Sequence, residues 1–145
     1  MQKLKINDII KRIERQETFD ATAFDNSFRI KITKYVPYCC TAIHDGSNFR
    51  EQLKKKISLD EFQRWFEEDP HTGEFITAMP ITISGLDSRF EYDLNRRSED
   101  CIYEEAWGNK VWKRPLTPTE RQASKQKHFN FYKVVHAIIS KLEEL

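Results

Sequence analysis

The sequence predicts an α/β domain, and three observations carry that reading. Two neighbouring stretches have strand patterns. FRIKITKY (28–35) alternates, with Phe28, Ile30 and Ile32 on one face, and VPYCCTAIH (36–44) is apolar throughout, as expected of a strand covered on both faces. Two later stretches begin with helix-start signals followed by helically spaced apolar residues. Finally, the apolar strand pattern runs into His44-Asp45-Gly46-Ser47. Ligands of α/β proteins collect at such carboxyl ends, and Gly46 permits a turn there.

The chain has 145 residues, enough for one domain with a real core. Hydrophobic residues make up 39% and charged residues 32%. Ten phenylalanines supply bulk that the aliphatic residues alone would not. Net charge is +1, from 24 basic and 23 acidic residues, which gives no reason to expect a nucleic-acid partner. No stretch is apolar for long enough to span a bilayer, and MQKLKINDII lacks the apolar segment of a signal peptide. A cytoplasmic protein is the expectation. Cys39, Cys40 and Cys101 are an odd count, which argues against a complete disulfide framework and reads as small buried hydrophobes.

In chain order, Ile6, Ile9, Ile10 and Ile13 predict a short amphipathic helix. Residues 15–26 read as irregular. Ser58 and Glu61 form a capping box ahead of Leu59, Phe62, Trp65 and Phe66, predicting a helix over about 58–68. Pro70 and Gly73 then break the chain, and the loop gathers Glu67, Glu68, Asp69, His71 and Glu74. TAMPITISG leads through Pro80 into a short strand. The stretch SGLDSRFEYDLNRR (84–97) reads as a two-faced strand, with Phe90, Tyr92 and Leu94 opposite Glu91, Asp93 and Asn95. Residues 98–116 read as a loop in which Tyr103, Trp107 and Trp112 are packing anchors, with a binding platform as the alternative. Thr117, Pro118 and Glu120 open a last helix reaching about residue 143, with Phe131, Val134, Val135, Ile138, Ile139 and Leu142 as its apolar stripe. His128, Tyr132 and His136, four apart, share a neighbouring face.

Several residues are candidates for chemistry. His44 is either a zinc ligand or a hydrogen-bonded surface histidine. A catalytic zinc takes three protein ligands. Asp69 and Glu74 are candidates for the second, against a plain role in helix termination and surface charge. His71, His128 and His136 are candidates for the third, without diagnostic spacing. Arg89 and Arg96 are candidates for holding an anionic group, because a guanidinium is a rigid fork suited to a carboxylate. Their alternative is pairing with Glu91 or Asp93. Asn95 adds an amide that donates and accepts. His136 is either a packing histidine or, beside Tyr132, a functional one.

Taken together these residues resemble the N-formylglutamate amidohydrolase family. His44-Asp45-Gly46 is similar to its His-Ser-Gly signature, with Asp45 in place of Ser. Asp69–Phe75 is similar to its short acidic stretch. Ser88–Arg96, SRFEYDLNR, matches its Ser-Arg-aromatic-x-x-Asp-Leu-Asn-Arg signature and is the most specific element. YKVVH at Tyr132–His136 resembles its Tyr-x-Pro-Tyr-His, with Val134 and Val135 replacing Pro and Tyr. The resemblance spans residues 36–145.

The resemblance implies a mixed sheet between flanking helices, similar to the zinc carboxypeptidase and phosphorylase-hydrolase-like fold. It implies a zinc-dependent hydrolase that cleaves the amide of an N-acylated, N-formyl-type acidic amino acid or a similar carboxylate-bearing small molecule. His44 and an acidic residue at Asp69 or Glu74 would hold zinc, and Asn95 and Arg96 would grip the carboxylate. Family members are longer, so the chain is expected to be the N-terminal part of a larger domain, completed by a further domain of the same or a partner polypeptide. The alternative is a non-catalytic relative that binds a carboxylate ligand or a protein.

Overall fold

A computed structural model describes residues 1–145. The elements in order are β1 (Gln2–Leu4), α1 (Ile6–Glu14), β2 (Phe19–Ala23), β3 (Phe28–Ile32), β4 (Cys40–Ala42), α2 (Glu51–Lys54), α3 (Glu61–Glu67), α4 (Thr72–Phe75), β5 (Ile81–Gly85), β6 (Glu105–Ala106), β7 (Asn109–Lys110) and α5 (Pro118–Glu143). Five strands form one sheet in the order β1-β2-β3-β5-β4. β1 and β2 are parallel, β2, β3 and β5 run antiparallel in turn, and β4 is parallel to β5. The protein is therefore α/β with a mixed sheet. None of its helices is long and apolar enough to cross a membrane.

The alternation in FRIKI does what its period requires. Phe28, Ile30 and Ile32 are buried, while Arg29 and Lys31 point away. Full burial of side chains of this size contributes about 2 kcal/mol each. Ile9 and Ile13 close the core from α1, which packs on α5. From α5, Phe131 meets Phe28 edge to face, with ring centres 5.6 Å apart.

α5 begins as expected. The Thr117 hydroxyl accepts from the Glu120 amide, the Glu120 carboxylate accepts from the Thr117 amide at 2.8 Å, and Pro118 follows the cap. Phe131, Val134 and Ile138 are buried with Ser124 and His128. Val135 and Leu142 are half-buried, and Ile139 faces solvent.

Several expectations need correction. Residues 15–26 contain β2, because Phe19, Ala21 and Ala23 alternate inward beside β3. β4 is a short edge strand, and the strand buried on both sides is β5, where Ile81, Thr82 and Ile83 are all covered. Cys39 and Cys40 are accordingly only half-buried, and Cys101 is fully enclosed. The cap of α3 is Asp60, whose carboxylate accepts from Gln63 N at 2.8 Å while the Gln63 side chain accepts from Asp60 N at 3.0 Å. Ser58 is held two residues earlier in extended chain, its amide and hydroxyl donating to the Val111 and Lys110 carbonyls. α3 buries none of its own residues, so Phe62, Trp65 and Phe66 face outward. Finally, residues 98–116 include the hairpin of β6 and β7, with Trp107 and Gly108 as its turn. Trp112 and Tyr103 are buried anchors, and Trp107 is half-exposed.

The stretch 84–97 is not a two-faced strand. Only Ser84 and Gly85 belong to β5. Beyond them Phe90, Tyr92 and Leu94 are buried, and so are Glu91 and Asp93. The reason is local. The Ser88 hydroxyl accepts from Phe90 N and the Asp93 carboxylate from Asn95 N, each two residues on. Glu91 N and Arg96 N close turns onto the Ser88 and Asp93 carbonyls. Such short polar side chains offer the backbone an alternative to a ladder.

Candidate functional site

The parallel pair β4 and β5 places its two carboxyl ends side by side, with Ala42 opposite Ser84. The chain leaving β4 delivers His44, and the chain leaving β5 delivers residues 87–97. Gly46 lets the two pass closely, because a Cβ there would lie 2.1 Å from the Leu86 carbonyl carbon. Close approach, rather than an unusual turn, is what requires glycine at this position. Asn48 and Asp87 then form a parallel bridge.

Asp93 is the hub of the site. Its side chain is only 1% exposed. One carboxylate oxygen, Oδ1, accepts from His44 Nε2 at 2.7 Å and from Asn95 N at 2.7 Å. The other, Oδ2, accepts from Arg89 Nη2 at 2.9 Å and from the Tyr103 hydroxyl. Burial by itself would raise this carboxyl's pKa. The donors from His44, the Asn95 amide and Arg89 outweigh it and hold the group at about 2. Asp93 is thus ionised, and His44, buried against it, presents Nδ1 to Asp69 Oδ2 at 3.3 Å.

The predicted residues are brought together in part. Arg89, Asn95 and Arg96 line one open cavity of about 320 Å³ with Asp93, Arg97 and Asp100. Arg89 is engaged by the protein, donating to Asp93 and, at 2.9 Å, to the Glu67 carbonyl. Arg97 pairs with Asp100 at 3.2 Å. Arg96 has no carboxylate partner, and its guanidinium lies 5.2 Å from the centre of the Tyr103 ring.

His44 and Asp69 are neighbours, as a shared ligand role requires. Glu74 is exposed on α4 and pairs with His71 Nδ1 at 2.8 Å. That bond also raises the His71 pKa. No group of three His, Cys, Asp or Glu side chains is placed to hold a metal ion. The residues present therefore do not make up a zinc centre, which needs three protein donors.

His136 is exposed and reaches the site only through Tyr132, with ring centres 6.5 Å apart. Its two helical neighbours do more. His128 Nε2 donates to the Arg96 carbonyl at 2.8 Å, and the Tyr132 hydroxyl donates to the Leu94 carbonyl. α5 thereby holds the backbone on both sides of Asn95. Sequence reasoning missed the central place of Asp93 and Tyr103, and it singled out His128 and Tyr132 by their four-residue spacing, as a candidate metal ligand and as part of the YKVVH resemblance, not as the groups that hold the backbone around Asn95.

The remaining charges of the stretch serve packing. Glu91, wholly buried, accepts from Arg50 N at 2.9 Å and Nε at 2.6 Å. Asp87 accepts from Lys127 at 2.9 Å and the Tyr92 hydroxyl at 2.6 Å. These pairs tie the stretch to the start of α2 and to α5. Glu68 is also buried, and burial raises its pKa although the Ser88 hydroxyl donates to it.

The site is a polar cavity with one uncommitted guanidinium, built on a buried His–Asp–Arg–Tyr cluster, and no family model, curated protein or solved structure matches the chain.

Proposed function

We propose that this chain binds a small carboxylate-bearing molecule through Arg96, with Asn95 beside it. One observation carries the reading: in a cavity lined by three arginines and two aspartates, Arg96 alone is left without a carboxylate partner. His128 holds its backbone, and its exposed guanidinium lies over the Tyr103 ring. Arg89 acts by positioning, since it anchors Asp93. The test is calorimetric titration with glutarate and N-formylglutamate. Arg96→Gln should weaken both by roughly tenfold or more, the range of a charge-assisted bond. Unchanged binding would refute the assignment.

A second reading has its own observation. Asp93 accepts from His44 Nε2 and leaves Nδ1 facing Asp69, which is how a carboxylate orients a metal-binding histidine. On this reading the chain would be kin to the N-formylglutamate amidohydrolases, with a carboxypeptidase-like fold. The site would be completed by a third donor from a further domain of the same or a partner polypeptide. Zinc uptake by the His44–Asp69 pair is the measurement that bears on it.

A further inference from the structure

A second cavity, of about 300 Å³, shares Arg96 with the first and is lined by Tyr103, Glu105, Ala106 and Trp107. Trp107 is 50% exposed although it touches the rings of Phe90 and Tyr103 and the guanidinium of Arg89. It stands at the first position of a two-residue hairpin turn, with φ 48°, followed by Gly108 with φ 75°. That turn has positive φ at both central residues and favours Asn-Gly. A bulky residue in the left-handed region is an outlier, and such outliers persist where the side chain is used. Glu105 places an acid in the same cavity.

We propose that this cavity takes the planar apolar group of the ligand whose carboxylate Arg96 holds, so that the preferred ligand is an aromatic monocarboxylate rather than a dicarboxylate. The inference rests on the carboxylate reading and deepens it. Arg96 lines both cavities, so a carboxylate bonded to it has its substituent directed along Tyr103 and Trp107. Glu105 repels a second carboxylate there.

The test is titration of three probes, N-formylglycine, N-formylphenylalanine and N-formylglutamate, into the whole chain and three variants, Trp107→Asn, Glu105→Gln and Arg96→Gln. The wild type should bind N-formylphenylalanine roughly tenfold more tightly than either other probe, the size of one aromatic contact. Trp107→Asn suits the turn, so it should keep or raise the thermal midpoint while losing that preference. Glu105→Gln should strengthen N-formylglutamate alone. If the probes bind equally, or if Trp107→Asn stays folded and keeps the preference, the aromatic subsite is refuted and Arg96 keeps its role. If no probe binds, or if Arg96→Gln changes none of them, the carboxylate reading falls and this inference with it.

Discussion

Replacing Asp93 by Asn tests whether the hub holds the site together. Both carboxylate oxygens accept two donors, from His44 and Asn95 on one side and Arg89 and Tyr103 on the other. An amide nitrogen meets donors whichever way it turns, and Arg89 loses its counter-charge. A carboxyl held at about 2, against 3.8 when unperturbed, corresponds to about 2 kcal/mol of stabilisation. Breaking a buried charge pair adds to this, for a total of about 3 kcal/mol at pH 7, or a fall of roughly 10 °C in Tm. The pH dependence has a definite sign. The folded pKa is depressed, so the contribution is complete above the unfolded pKa and lost as pH falls through the folded one. The gap between wild type and variant in urea melts should be constant from pH 7 to about 4 and shrink toward pH 2. A gap under about 0.5 kcal/mol at pH 7, the range of an ordinary surface change, would refute the hub. So would a gap of the same size at pH 7 and near pH 2.

Asp60→Ala should cost about 1 kcal/mol by urea denaturation and Ser58→Ala clearly less, because the Asp60 side chain caps α3 whereas the Ser58 hydroxyl bonds the Lys110 carbonyl; the reverse ranking would return the cap to Ser58. Two donors hold a metal weakly, so after dialysis against zinc, atomic absorption should find substoichiometric metal that His44→Ala removes. One tightly held equivalent that survives His44→Ala would dismiss the His44–Asp69 pair.

Much of the fold was legible where a single periodicity decides burial. β3 and α5 follow their patterns because one face of each meets the core and the other meets water. The α3 cap was misplaced because two boxes of the same spacing lie two residues apart, and only the contact of Ser58 with β7 chooses between them. The stretch 84–97 misled for a related reason. Its alternation of apolar and charged residues imitates a half-buried strand, but Asp87, Glu91 and Asp93 are buried too, each against a partner far away in sequence.

The candidate site divides in the same way. Local chemistry in the sequence was enough to single out His44, Arg89, Asn95 and Arg96 as groups able to hold a ligand, and Thr117-Pro118 as the start of the helix behind them. Tertiary structure alone decided which of those groups remain uncommitted. Asp93 took His44 and Arg89, Glu74 took His71, and Arg96 was left facing a cavity beside Trp107. Side-chain charge is a property of one residue. Whether that charge is already neutralised depends on partners that only the folded chain brings within hydrogen-bond distance.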